Sequence, residues 1–173
     1  AAACTMGIAQ AAGFLLTNDK RGDPQPLRWN TAQPIPVYTD LGVFAYAEDG
    51  TTPFITNQRA NQIVEFALAQ WSQVPSSTLR AQRVGNFAQV PSIGGNVTAA
   101  NALKVIGKNN GGGLHVIYDT DGSVLESIFG VPRDAVLGIA SPEIAVDADG
   151  DGQLDTIVEA FAILNGYTIY ADD

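Results

Sequence analysis

The sequence predicts an α/β fold, a mixed twisted sheet of about four to six strands with a long amphipathic helix packed on it. Two observations carry this. Residues 56–74, TNQRANQIVEFALAQWSQV, place Ile63, Phe66, Ala67, Trp71 and Val74 at i, i+3, i+4, i+8 and i+11, an apolar stripe of helical period. Around that stretch stand several short β-prone runs, each bounded by glycine, proline or aspartate and joined by turn-sized links. A chain of 173 residues with 46% hydrophobic side chains is large and apolar enough to bury a core of this kind.

The elements follow in order. Residues 1–26 read as an N-terminal extension or loop, and residues 27–173 as one α/β domain, incomplete at its C-terminal end. The first sixteen residues, AAACTMGIAQAAGFLL, are small and apolar but too short to span a bilayer. They read as a mature N-terminus or the remnant of an export signal. Residues 17–34 are polar and rich in proline and glycine, which makes a loop. IPVYTDLG is a short strand that Pro36 confines to an edge or a strand start. The 57–74 helix takes Thr56 as its N-cap and stops at Pro75, and its stripe predicts that Trp71 is buried against the sheet. TLRAQRV, residues 78–84, alternates as a strand. TAANALKVI reads as a short helix capped by Thr98, and GKNNGGG as a turn. LHVIYDTDG reads as a buried strand ending tightly, and AVLGIASPEIAV and IVEAFAILNG as two more strands.

Charge narrows the function. Nine basic against eighteen acidic side chains leave a net charge of −9, a field that repels nucleic acid and anionic membrane and favours cations. Cys4 stands alone, so no intramolecular disulfide forms. It reads as a small hydrophobe, as a lipid-attachment cysteine after a lipobox-like AAAC, or as an intermolecular thiol.

The motif richest in chemistry is AVDADGDGQLDTIVEA, residues 145–160. Asp147, Asp149 and Asp151, followed by Gly152, match positions one, three, five and six of a D-x-D-x-D-G calcium loop. Gln153 would offer its backbone carbonyl at position seven, and Asp155 falls at position nine. Hard calcium wants six to eight oxygens, and alternating aspartates supply them while glycine permits the sharp turn. The twelfth position is Val158 rather than a bidentate acid, with Glu159 one residue late, so the loop is not a full EF-hand. The competing reading is a solvated acidic turn that binds nothing. A second acidic turn, Asp119, Asp121 and Glu126 around Gly122, reads as a plain turn.

Other chemistry is thin. His115 is the only histidine and lies in a strand-like run, where it reads as structural. An HExxH zinc site needs two histidines a helical turn apart, so none can be built, and no G-x-S-x-G elbow, P-loop or dinucleotide fingerprint occurs. The Gly111–Gly113 run lacks the lysine of a phosphate cradle. NVT, residues 96–98, fits a glycosylation acceptor as well as a helix cap. No catalytic residue is identified.

The order LRWNTAQPIPVYTD, FALAQWSQVPSSTLR, LHVIYDTDGSVLESIFG, AVLGIASPE and AFAILNG resembles the N-terminal part of bacterial matrixin-like metalloproteases of the metzincin group. The resemblance covers roughly residues 27–170. In that family a strand leads into a long helix with a tryptophan in its last turn, here Trp71, and a further strand follows Val74–Pro75. The family continues into a helix carrying zinc-binding histidines and a catalytic glutamate, and no position here matches them. The resemblance implies a metzincin-like N-terminal subdomain, calcium as a structural ion, and zinc only if a C-terminal segment supplies ligands. It also implies an extracellular or cell-surface location. The alternative function is a secreted, calcium-stabilised structural or binding module that self-associates or joins a cell-surface assembly. Either way the 173-residue chain is expected to be inactive by itself.

Overall fold

The computed structural model describes residues 16–18, 22–87, 95–167 and 169. Cys4 and the rest of residues 1–15 lie outside the described residues, so the readings placed on them stay as expectations. In chain order the elements are β1 (Leu16–Asn18), β2 (Pro24–Pro26), β3 (Arg28–Trp29), β4 (Ile35–Thr39), β5 (Ala45–Tyr46), β6 (Pro53–Ile55) and α1 (Asn57–Ser72). Then come β7 (Ala81–Asn86), β8 (Gly113–Asp119), α2 (Ser123–Phe129), β9 (Gly138–Val146) and β10 (Thr156–Asn165).

The fold is a mixed α/β arrangement with a mainly parallel sheet. Its order is β3–β10–β8–β4–β7, parallel throughout, and β9 alone pairs antiparallel, on β10. The short hairpins β1–β2 and β5–β6 stand apart from it. The 17–34 segment, expected to be loop, therefore contributes two strands of its own and part of β1.

β4 lies between β7 and β8 rather than at an edge, and Pro36 takes the other expected placement, near the strand's start as its second residue. Proline is tolerated there because of register. Ile35 donates its N–H to Arg80 on the β7 side, so the Pro36 nitrogen turns toward β8, where pairing begins only at Val37. At that point Gly113 opens β8 with φ +92, and a Cβ there would collide with the Pro36 carbonyl. Only glycine lets the two backbones meet in this way.

Two apolar layers sandwich the sheet. Val37, Val116 and Tyr118 pack with Phe44 and the helix residues Ala60 and Val64 on one face. Ile117, Phe161 and Ile163 pack with Val124 and Leu125 of α2 and with Val105 on the other. The expected helix after Thr98 is a single 3₁₀ turn, Ala102–Lys104, and its side-chain anchor is Asn101, whose Oδ1 accepts the Thr98 N–H.

α1 has its expected start, since the Thr56 hydroxyl accepts the Arg59 N–H. The face it buries is a different one. Trp71 is 64% exposed and Phe66 67%, and Ile63 and Val74 also face solvent, whereas Ala60 and Val64 are buried with Leu68 packed beside them. Polar side chains decide the orientation. Asn57 donates to the Asp40 and Gly42 carbonyls, Asn61 donates to Asn57, and the Tyr118 hydroxyl donates to Asn61. These bonds tie the Asn57–Ala60–Asn61–Val64 side to the sheet, and small residues there let the helix come close. Trp71→Ala is accordingly expected to change stability by less than about 1 kcal/mol, a surface effect, while Val64→Ala costs about 1–3 kcal/mol. Urea unfolding of both variants checks the order, and a larger loss for Trp71 would turn the helix round.

Candidate functional site

The acidic loop joins β9 to β10. Carboxylate oxygens of Asp147, Asp149 and Asp151 all lie within 4.8 Å of one another, a group able to hold a cation. The backbone brings them together through turns it makes itself. Asp147 accepts the Gly150 and Gly152 N–H groups, each at 2.7 Å, and Asp149 and Asp151 accept those of Asp151 and Gln153. Gly150 and Gly152 take φ of +79 and +89, which the tight curl requires. Asp155 stands outside the group. Its Oδ1 accepts the Thr156 hydroxyl, and its carbonyl accepts the Arg28 N–H at 2.9 Å, tying the loop's end to β3. Gln153 is buried.

The second acidic turn is a different device. Asp119, at the end of β8, is buried, and its two oxygens accept the N–H groups of Val124 and Leu125 in the first turn of α2. The carboxylate thus satisfies helix donors that Gly122, at φ +73, has no side chain to reach. Burial pushes the Asp119 carboxyl up, against the pull of the Leu125 and Val124 N–H groups. Asp121 accepts the Ser123 N–H at the surface, and Glu126 pairs with Arg133. These three acids converge on no common point among the described residues.

Parallel α/β sheets bind ligands at the carboxyl ends of their strands. A hollow of about 320 Å³ lies there, lined by Tyr46, Asn96, Thr98, Asp119, Thr120 and Asp121. The acids around it are anchors. Asp40, fully buried just after β4, accepts the N–H groups of Gly42, Val97 and Tyr118, fastening the 96–98 segment to β4 and β8. Burial raises its pKa to about 6 in spite of those bonds. Both carboxylates are engaged with backbone N–H groups.

The third constellation sits at the opposite end of β8. His115 on β8 faces Phe161 on β10, so Glu159, two residues earlier, lies diagonally from it on the same face. Glu143 joins from β9, where the β9–β10 register is irregular on both sides of Glu159. Ligand atoms of the three residues lie within 4.8 Å of one another, and His115 Nδ1 stands 3.8 Å from Glu159 Oε1. Tyr38 stacks on the imidazole at 5.5 Å and Phe87 tilts against it. Burial pushes the His115 pKa down, with the Glu159 charge opposing.

The two glutamates also hold the glycine-rich turn. Glu159 accepts the N–H groups of Asn110 and Gly112 and the Asn110 side-chain amide, and Glu143 Oε1 accepts the Gly107 N–H at 2.5 Å. Glu143 Oε2 is buried and has no hydrogen-bond partner among the described residues. Neither glutamate is a ligand position of a motif in the sequence. The signal available was His115 itself, a lone histidine in a run otherwise apolar. No known family model matches the chain, and no curated protein or solved structure matches it either.

Proposed function

We propose that the chain is the non-catalytic N-terminal part of an exported matrixin-like metalloprotease, with a structural calcium ion in the 147–155 loop. The observation that carries this reading is a half-face that the described residues leave open. α1 covers β7 and β4, and beside it an apolar hollow of about 270 Å³ runs over Trp29, Leu68, Leu114, Pro142, Ile157 and Ala160. A sheet face this apolar needs a second covering element, and in the resembled family a helix follows the last strand. The run β4, α1 with Trp71 in its last turn, Val74–Pro75 and β7 follows the same order. The calcium part of the reading draws on the three converging aspartates. No helix among the described residues is long and apolar enough to cross a membrane.

A zinc peptidase needs protein ligands around an open coordination position and a general base beside it. The 173-residue chain is therefore expected to leave casein uncut with zinc added, and a longer product of the same gene, carrying an HExxHxxGxxH segment beyond Asp173, to cut it. Zinc-dependent cleavage by the 173-residue chain that is lost in His115→Ala would overturn the reading, as would a coding sequence without that segment. The same hollow suits the alternative, a self-associating module. Sedimentation of the purified chain separates the two, since a dimer that Leu114→Asp dissolves belongs to the module.

A further inference from the structure

Among the described residues, the His115, Glu143 and Glu159 cluster is the one place where ligating groups from three different strands come together. We infer that it is a second metal site, taking one divalent first-row transition ion of the zinc class and riveting β8, β9 and β10 beneath the 107–112 turn. His115 and Glu159 are fully buried and Glu143 half-buried. Two carboxylates held this close repel each other. Burial pushes the Glu143 carboxyl up, and the Glu159 charge pushes it the same way. A divalent cation reverses that repulsion and gives Glu143 Oε2 a partner that it lacks among the described residues.

The donor set chooses the ion. One imidazole nitrogen and two carboxylate oxygens suit zinc and its neighbours, while calcium prefers six to eight oxygens and is poorly served by imidazole. Zinc holds such atoms about 2.0–2.1 Å away, which sets ligand atoms about 3.3 Å apart in a tetrahedron. The 3.8 Å between His115 Nδ1 and Glu159 Oε1 is near that already. Closing the third corner takes a rotamer adjustment of Glu143, the least buried of the three. The outer contacts are of the kind metal carboxylates use, because Asn110 and Gly112 already orient Glu159, and Gly107 orients Glu143 through its other oxygen. The site is independent of the acidic loop and of any peptidase function, since all its ligands lie within this chain's own sheet.

The test uses the purified chain after chelation, with zinc and cobalt as probes. One equivalent of zinc is expected to be retained against dialysis, and cobalt is expected to give visible d–d bands of a nitrogen-containing, four-coordinate site. Glu143→Gln, which keeps the side chain's shape, and His115→Ala should each weaken zinc binding by about tenfold or more. Asp149→Ala, which touches only the acidic loop, should leave it unchanged. Circular dichroism confirms that each variant is folded. If the cobalt spectrum is all-oxygen, or if zinc binds Glu143→Gln as tightly as the parent, the proposal is wrong. Zinc lost in Asp149→Ala alone would place the ion in the acidic loop and overturn it equally.

Discussion

Asp119→Ala is expected to destabilise the chain by about 2–4 kcal/mol, and Asp121→Ala, two residues away in the same turn, by less than about 1 kcal/mol. The difference lies in what the two carboxylates hold. Asp121 accepts one N–H at the surface, where water replaces it. Asp119 is buried, and its loss leaves the Val124 and Leu125 N–H groups without an acceptor in the interior. Each orphaned buried donor costs about 1–3 kcal/mol. Against this stands the desolvation penalty that the mutation relieves, visible in the raised Asp119 pKa. Two orphaned donors outweigh one relieved carboxylate, so the net effect is a loss. Asp119→Asn should fall between, because one of its two polar atoms would donate toward a backbone N–H.

The pH dependence has a definite sign. A carboxyl whose folded pKa lies above its unfolded value binds its proton more tightly in the native state. Its contribution to stability is full below the ordinary carboxylate pKa and is lost as pH rises through the folded one. Asp119→Asn removes that slope over the interval between the two values. Thermal unfolding followed across acidic pH checks it, and a metal role for Asp119, Asp121 and Glu126 would instead make all three variants sensitive to chelator.

What the sequence made legible was local. The β4, β8, β9 and β10 runs were all readable as strands because β-branched and aromatic residues cluster there between breakers. Thr56 and Pro75 bounded α1 closely. The sequence points to the wrong face of α1 because Asn57 and Asn61 look like solvent residues, while their partners, the Asp40 and Gly42 carbonyls and Tyr118, come from distant segments. α2 is hidden in the sequence because its helix donors are satisfied by an aspartate before the turn, and Asp-Thr-Asp-Gly by itself spells a turn. The centrality of β4 depends on a register that no local pattern contains. The same holds for the histidine cluster. His115, Glu143 and Glu159 meet only through strand pairing and the irregular β9–β10 ladder, so a search for ligands at helical spacing passes over them.

Calcium is expected to raise the melting temperature of the chelated chain by about 5–10 °C, and Asp149→Ala to abolish that rise. Calcium sites of extracellular modules have dissociation constants of about 10⁻⁴–10⁻³ M. At a hundredfold excess over the dissociation constant, a ligand bound only by the native state adds about 2.7 kcal/mol, worth roughly 2–4 °C per kcal/mol in a chain of this size. The loop is built so that this energy acts on the sheet. It connects the antiparallel edge strand β9 to β10, and its end bonds to β3, so an ion at Asp147, Asp149 and Asp151 fixes the point where three strands meet. Without a cation the same three carboxylates repel one another at the surface, restrained only by their bonds to loop N–H groups. Asp155 divides the readings further. Its carboxylate is engaged with Thr156, outside the cluster, so Asp155→Ala should keep most of the calcium response unless the ion draws that side chain in. High salt in place of calcium should screen the repulsion and recover only a minor part of the shift, because screening removes a penalty but supplies no bonds. If magnesium or sodium chloride at matched ionic strength reproduces the whole rise, or if Asp149→Ala retains it, the loop is a solvated turn and not a calcium site.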